Sequence, residues 1–158
     1  MDIIVYTDGS TLNNQHKDKR RGGIGVYFGI EDSRNQSIPI LTEKVTNQVA
    51  ELLACIKAIE VAQPFNSLII CTDSMYIINC ITNWCNKWEK KGWRKSDGKI
   101  IENLELVKKL YSYYNEYKIK YRHVRAHKSK PADNSPDYND WYGNMMADML
   151  ATNASKSL

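Results

Sequence analysis

Residues 67–74 read SLIICTDS, a short apolar run that ends in an acidic and a hydroxyl residue. A continuous apolar run of strand length is typical of a central strand that is covered on both faces of a sheet. Asp73 and Ser74 then open a helix, which we predict to run through Trp84. A buried strand followed at once by a helix indicates an α/β fold.

The segments on either side of this unit extend the same pattern. Periodicity and turn residues predict strands at 2–7, 22–30, 37–44 and 118–124, helices at 48–63, 103–114 and 144–155, and a long polar loop at 128–143. Asp8-Gly9 would end the first strand, and Pro39 suits an edge strand. Three strands followed by alternating helix and strand predict a mixed sheet, α/β in class, with helices on its faces.

Length and composition set outer limits on the class of protein. The chain has 158 residues, 42% hydrophobic and 25% charged, which predicts one globular domain over residues 1–158. No run approaches the ~18 apolar residues of a membrane span, and no basic leader precedes the first apolar stretch. Cys55, Cys71, Cys80 and Cys85 form no CxxC pair, so we expect buried thiols and an intracellular setting: cytoplasmic, nuclear or organellar, not secreted.

The basic residues are unevenly distributed. The segments 17–21, 84–95 and 117–130 together hold fifteen of the 22 Lys and Arg residues, in a chain of net charge +4. Clustering of this kind indicates a polyanion partner, although a solvated surface would explain any one cluster equally well. The 84–95 stretch, WCNKWEKKGWRK, also interleaves three tryptophans with five basic residues, which favours a nucleic-acid surface over helix packing alone. We name it the Trp/Lys segment.

Four acidic residues are candidates for a site: Asp8, Glu51, Asp73 and Asp148. Each also has an ordinary structural explanation. Asp8 could form an Asp-Gly turn, Asp73 could cap a helix, and Glu51 could complement the dipole in the first turn of its helix. Asp148, among Met and Ala residues, could border an amphipathic helix.

Geometry favours a shared site for these carboxylates. If the first strand and the 67–72 strand are parallel neighbours, Asp8 and Asp73 emerge at the sheet end where α/β folds bind ligands, and Glu51 can reach the same end. Gathered carboxylates repel one another unless a cation is present. Oxygen ligands without Cys or His suit Mg²⁺ or Mn²⁺. Such an ion beside a basic, tryptophan-lined surface indicates phosphodiester chemistry.

Five sequence motifs stand out along the chain: YTDGS (6–10), AEL within NQVAELLACIKAIE (47–60), TDSMYIINCITNW (72–84), the Trp/Lys segment and GNMMADMLA (143–151). Similar motifs occur in the same order in the type 1 ribonuclease H family. The chain resembles this family from Ile3 to about Ser155, and most closely its eukaryotic branch from Thr72 to Trp93. The resemblance implies a ribonuclease H-like fold with a mixed five-stranded sheet. We expect no hybrid-binding N-terminal domain such as many eukaryotic members carry.

The resemblance also implies a reaction and its catalytic residues. Asp8, Glu51, Asp73 and Asp148 match four carboxylates that hold two Mg²⁺ ions at the scissile phosphate, with Mn²⁺ a possible substitute. The implied activity is hydrolysis of the RNA strand of RNA–DNA hybrids, leaving 5′-phosphate and 3′-hydroxyl ends. His127 matches a histidine that assists proton transfer or product release. The implied partner is the hybrid duplex, and we expect a monomer with no membrane partner and no organic cofactor.

Substrate contacts follow from the same resemblance. Asn47, Gln48 and Met75 match positions that read the minor groove, while Lys44, Thr46 and Asn103 match a pocket for a DNA-strand phosphate. Trp84, Trp88 and Ser96 match the channel for DNA sugars. Lys90, Lys91, Trp93, Arg94 and Lys95 lie on the basic protrusion, and Asn144 matches an asparagine four residues before the last aspartate.

The chain departs from the family pattern between His127 and Asp148. These residues are 21 positions apart, about twice the usual family spacing, and the added segment contains Asp133, Asp137 and Asp140. Two other functions stay open at this point: a catalytically silent hybrid-binding module, and a resolvase- or integrase-like nuclease that acts on DNA alone.

Overall fold

The structure is a computed structural model that describes residues 2–12, 20–42, 45–126 and 128–157. Its strands are β1 (Asp2–Leu12), β2 (Arg21–Tyr27), β3 (Gln36–Ile40), β4 (Ser67–Thr72) and β5 (Ile119–His123). Its helices are α1 (Asn47–Ala62), α2 (Met75–Asn79), α3 (Cys85–Lys90), α4 (Leu104–Glu116) and α5 (Tyr138–Lys156), and a π-helical turn (Cys80–Trp84) joins α2 to α3.

The five strands form one mixed sheet in the order β3-β2-β1-β4-β5. Strands β1, β2 and β3 pair antiparallel, whereas β4 is parallel to both β1 and β5. Tyr6 lies opposite Cys71, so Asp8 of β1 is level with the carboxyl end of β4, where Asp73 follows. The sheet confirms the predicted mixed α/β fold and the parallel neighbours that would bring Asp8 and Asp73 together. It also places Pro39 on an edge strand, as predicted.

Helices cover both faces of the sheet. Successive side chains of β1 point to opposite faces, so each face has apolar side chains to bury. Val5 is fully buried in the larger core, together with Leu52 of α1 and Ile70 of β4. Tyr6, the next residue, packs in a second cluster with Ala147 of α5. Helix α5 therefore covers the sheet face opposite α1.

Predicted boundaries of four elements are wrong. The strand predicted at 22–30 ends at Tyr27, where the antiparallel ladder between β1 and β2 begins at Tyr6. Strand β1 does not end at Asp8-Gly9 but continues to Leu12, because its antiparallel ladder with β2 extends that far. The helix predicted to end at Trp84 continues to Lys90 through the π-helical turn. Strand β3 ends at Ile40, short of the predicted 37–44 segment.

The predicted 128–143 loop is also wrong in its second half, since α5 already begins at Tyr138. Residues 138–143 are aromatic and polar and carry no helical apolar period, so periodicity placed the helix start at 144. Tertiary contacts explain the extra turns. The Asp140 carboxylate accepts hydrogen bonds from the Tyr6 hydroxyl at 2.6 Å and from the Arg122 guanidinium at 2.7 Å.

The three acidic residues of this segment are each paired with a cation. Besides Asp140 with Arg122, Asp133 lies 3.4 Å from the Lys130 ammonium, and Asp137 lies 3.9 Å from the Lys128 ammonium. These pairs offset the negative charge of the segment beside a site predicted to admit a polyanion.

The four cysteines are buried and their thiols are free. Among the helices of the described residues, none combines the length and the apolar character that crossing a bilayer requires.

Candidate active site

Three of the predicted carboxylates come together at the carboxyl end of β4, level with the middle of β1. Asp8 lies in β1, Asp73 follows β4 directly, and Glu51 extends from α1. One oxygen of each side chain lies within 4.8 Å of the others. This spacing allows all three to bind one cation.

Local structure excludes the ordinary explanations for these residues. Asp8 is inside a strand rather than a turn. The cap of α2 is Ser74, whose hydroxyl accepts a hydrogen bond from the Ile77 amide at 3.2 Å, so Asp73 is not the cap. Glu51 was predicted in the first turn of its helix, but α1 begins at Asn47 and no acidic residue lies in that turn. Helix-end chemistry therefore does not account for Asp73 or Glu51.

Gly9 brings α1 against β1. A Cβ at this position would lie 2.5 Å from the Ala50 carbonyl carbon and the Glu51 amide nitrogen, so only glycine permits this approach. The Gly9 amide donates to Asp8 Oδ1 at 3.0 Å and to Glu51 Oε1 at 2.9 Å. One backbone group thus fixes two carboxylates.

Asp148 completes the group from the opposite layer. It lies on α5 and lines a cavity of about 410 Å³ together with the three clustered carboxylates. Asn144, one helical turn earlier, is buried. The four predicted carboxylates therefore line a single cavity, although Asp8 and Asp148 are 140 positions apart in the sequence.

The electrostatics of the site favour a bound cation. Burial raises the pKa of Asp8, and the neighbouring charges of Glu51 and Asp73 raise it further. Burial likewise raises the pKa of Glu51. Glu51 Oε2 is buried without a hydrogen-bond partner, and leaving such an atom unpaired costs free energy. Oxygen donors only, an orphaned carboxylate oxygen and mutual repulsion all fit a divalent ion such as Mg²⁺.

Asp8→Asn should stabilise the protein when no metal is present. A carboxyl whose pKa is raised by folding binds its proton more tightly in the folded state, so its ionisation destabilises the fold as pH rises above about 4. Replacing this carboxyl with a neutral amide removes that penalty and should raise Tm in EDTA at pH 7 by about 2–6 °C, for a gain on the order of 1–2 kcal/mol. Thermal unfolding of both proteins in EDTA measures this.

The control is a pH series with and without metal. At pH 5 in EDTA the difference in Tm between Asp8→Asn and the unsubstituted protein should shrink, because the cost of keeping Asp8 protonated in the fold falls as the pH approaches the unfolded carboxyl pKa of about 4. Millimolar Mg²⁺ should raise Tm of the unsubstituted protein only, by mass action. Equal Tm values under all these conditions would contradict a repulsive cluster.

The predicted minor-groove residues lie at the rim of the site. Asn47 and Gln48, in the first turn of α1, line the carboxylate cavity, and Met75 is exposed just after Ser74. Thr46 caps α1, where its hydroxyl accepts from the Val49 amide at 3.1 Å. The Asn103 side chain lies near that of Tyr76, which also lines the cavity.

The Trp/Lys segment forms a surface next to this rim. The Trp84 ring lies 6.3 Å from that of Tyr76 and 5.8 Å from that of Trp88, so an aromatic row leads away from the site. Trp93 packs against Tyr111 of α4 at 6.0 Å, which gives it a packing role. The other predicted residues of this surface are exposed: Lys90, Lys91, Arg94, Lys95 and Ser96.

Two predicted residues, Lys44 and His127, lie outside the described residues. Other residues at the site were not predicted. Gly9, Ser74 and Tyr76 line the carboxylate cavity, and Lys128 and Trp141 line a second one beside it. Ser74 and Tyr76 flank Met75 in sequence, so adjacency to a predicted contact was a usable signal. Trp141 carried no signal, since its segment was predicted as a loop.

A mixed five-stranded sheet in this order, with carboxylates from both layers gathered at the carboxyl end of β4, defines the ribonuclease H-like class of α/β folds. The sequence pattern of the RNase H family matches residues 1–156. The chain belongs to the ribonuclease H family.

Comparison with individual proteins agrees with this assignment. Human ribonuclease H1 is 39% identical over 156 residues, which are 98% of this chain and 50% of that protein. Ribonuclease H of Escherichia coli O139:H28 is 31% identical over 135 residues, 85% of this chain and 84% of that protein. The crystal structure of LC9-RNase H1, described as a type 1 RNase H with the type 2 active-site motif, superposes with a TM-score of 0.72 at 26% identity, covering 98% of this chain and 72% of the other. The chain spans about half the length of its first eukaryotic relatives.

Proposed function

We propose that this protein is an endoribonuclease that hydrolyses the RNA strand of RNA–DNA hybrids. The observation that carries the proposal is the carboxylate cluster, which lies in one cavity with Asn47 and Gln48 and adjoins the Trp/Lys segment. Membership of the ribonuclease H family supports it.

Asp8, Glu51, Asp73 and Asp148 would hold two Mg²⁺ ions, for which Mn²⁺ could substitute. When bound, divalent ions supply charge neutralisation of the phosphate and activation of the attacking water. Asp8, the most buried of the four, would contact both ions, with Asp148 on the water side and Glu51 and Asp73 on the leaving-group side. In-line hydrolysis then leaves a 5′-phosphate and a 3′-hydroxyl, and no protein nucleophile takes part.

The remaining residues would bind the duplex. Asn47 and Gln48 would read sugars and base edges in the minor groove, where Glu51 could meet the RNA 2′-hydroxyl. Exposed lysines of the Trp/Lys segment would contact phosphates of the DNA strand. Phosphate and sugar contacts carry no base code, so cleavage should depend weakly on sequence. His127 would assist proton transfer or product release.

We also propose that the active species is a monomer without organic cofactor. Four buried free thiols support a reducing, intracellular setting, cytoplasmic, nuclear or organellar.

Cleavage of four labelled duplexes in Mg²⁺ tests the function. The duplexes are RNA–DNA, RNA–RNA, DNA–DNA, and DNA with one embedded ribonucleotide, each with an EDTA control. We expect cleavage of the RNA–DNA hybrid alone, abolished by EDTA, because the site requires metal and the 2′-hydroxyl marks the strand to be cut.

Each other outcome identifies a different function. Cleavage at the lone ribonucleotide would mean that the substrate contacts are wrongly assigned. Cleavage of DNA–DNA would indicate a resolvase- or integrase-like nuclease. Tight hybrid binding without cleavage in Mg²⁺ or Mn²⁺ would indicate a silent binding module.

A further inference from the structure

A second cavity, of about 360 Å³, adjoins the carboxylate cavity. Asp73 and Asp148 line both cavities. The other walls of the second cavity come from α5 and from the chain that leads to it: Ala126, Lys128, Trp141, Asn144 and Met145. A volume of this size lies within the range of small-molecule sites, roughly 300–1,000 Å³.

Helix α5 builds one wall of this second cavity. Trp141, Met145 and Asp148 are spaced by four and three residues, so they lie on one helical face. The early start of α5, at Tyr138, is what puts Trp141 on that face above Asp148. The segment that departs from the family pattern therefore contributes directly to the surroundings of the active site.

The Trp141 ring is held in place and half-buried. Its indole N–H donates to the Lys128 carbonyl oxygen at 2.9 Å, and its ring lies 5.7 Å from the Tyr138 ring and 6.4 Å from the Tyr142 ring. A ring fixed in this way loses little conformational entropy when a ligand packs against it.

Lys128, which also lines this cavity, carries a positive charge. Its side chain is 49% exposed, and its ammonium lies 3.9 Å from Asp137 Oδ2, a long contact with a side chain that is 68% exposed. Exposed pairs of this kind contribute little free energy. A phosphate can therefore take the place of Asp137 at small cost.

We propose that the second cavity binds one nucleotide unit of the cleaved strand, next to the scissile phosphate, with Lys128 contacting its phosphate and Trp141 its ribose. This inference rests on the proposed function. Because Asp73 and Asp148 line both cavities, a strand whose phosphate lies over the carboxylates continues into the second one. Bases in a duplex are stacked on each other, so a ring at the edge of the strand meets sugar rather than base.

Lys128→Gln tests the phosphate contact, with Lys130→Gln as the matched control. Lys130 lies on the same segment and pairs with Asp133, but it does not line the cavity. Lys128→Gln should raise KM for hybrid by roughly 3- to 10-fold and lower the slope of log affinity against log salt by about 1. Lys130→Gln should change both much less. Equal effects of the two substitutions would overturn the contact.

A scan with uncharged methylphosphonates locates the phosphate. The substrate is a hybrid whose cut strand carries a short ribonucleotide block that fixes the cleavage position. Neutralising the phosphate adjacent to the scissile one should reduce kcat/KM of the unsubstituted protein and of Lys130→Gln, with no further loss in Lys128→Gln. The proposal would be overturned if, at every position scanned, the methylphosphonate reduced kcat/KM of Lys128→Gln by the same factor as it reduces kcat/KM of the unsubstituted protein.

Trp141→Ala and Trp141→Phe test the ribose contact. The alanine variant should raise KM severalfold, and the phenylalanine variant, which keeps a ring, should raise it less. A fall in Tm with KM unchanged in both variants would mean that Trp141 is only a packing residue. Cleavage of hybrid by the unsubstituted protein in the same assay separates failure of this inference from failure of the proposed function.

Discussion

Asp73→Asn should abolish cleavage of the RNA–DNA hybrid while leaving hybrid binding nearly intact. The substitution keeps the shape of the side chain but removes a negative charge from the three-carboxylate cluster. Stabilisation of transition-state charge by a bound metal is worth several kcal/mol, so we expect a loss of at least about 10³-fold in kcat. Initial rates in Mg²⁺ and fluorescence anisotropy in EDTA measure the two properties.

Asp73 is the best of the clustered residues for this experiment because it is only half-buried, whereas Asp8 and Glu51 are buried. Its replacement should therefore perturb folding least. Asp133→Asn is the matched control, since it makes the same chemical change at a side chain that is 82% exposed. It should cleave at the normal rate. Persistent cleavage by Asp73→Asn would show that the metal site is wrongly assigned.

Much of the fold was predictable because the decisive signals are local. The run at 67–72 coincides with β4, and the helical period at 48–63 differs from α1 by one residue at each end. The start of α5 was not predictable, because Asp140 stabilises it through Tyr6 and Arg122, which are distant in sequence. The π-helical turn at Cys80–Trp84 was not predictable either, because the spacing of apolar residues does not distinguish one π-helical turn from an α-helix.

The carboxylates were predictable for a different reason. Parallel pairing of β1 with β4 follows from the pattern of elements, and it brings Asp8 and Asp73 to one end of the sheet. The second cavity was not predictable, because Trp141 and Lys128 meet there only once α5 starts early. Contacts of the side chains with the hybrid stay predictions, as do the roles of Lys44 and His127.

The GGIG run at 22–25 allows helix α5 to approach strand β2 closely, a contact that the sequence patterns did not predict. Gly23 and Gly25 point to the same face of β2, the one that α5 covers. A Cβ on Gly25 would lie 2.0 Å from the Ala147 carbonyl oxygen and 2.7 Å from the Ala151 amide nitrogen. Both atoms belong to the helix backbone, which cannot move aside as a flexible side chain would. The strand and the helix are therefore in direct backbone contact.

Gly25→Ala should destabilise the protein by about 3 kcal/mol or more, because the added methyl group must push α5 away from the sheet. Asp148 lies next to Ala147 on that helix, so the same displacement moves a carboxylate out of the active site. Any Gly25→Ala protein that still folds should therefore also cleave hybrid more slowly. Urea unfolding and initial rates in Mg²⁺ measure the two effects.

Gly29→Ala provides the comparison. It makes the same substitution just beyond β2, where an added Cβ would meet no atom within 4 Å. Its backbone is not in the left-handed region, so alanine should be tolerated or should stabilise the fold by about 0.4–1 kcal/mol through the unfolded chain. If Gly25→Ala were as stable and as active as Gly29→Ala, α5 would not be in direct contact with β2, and the position of Asp148 would need another explanation.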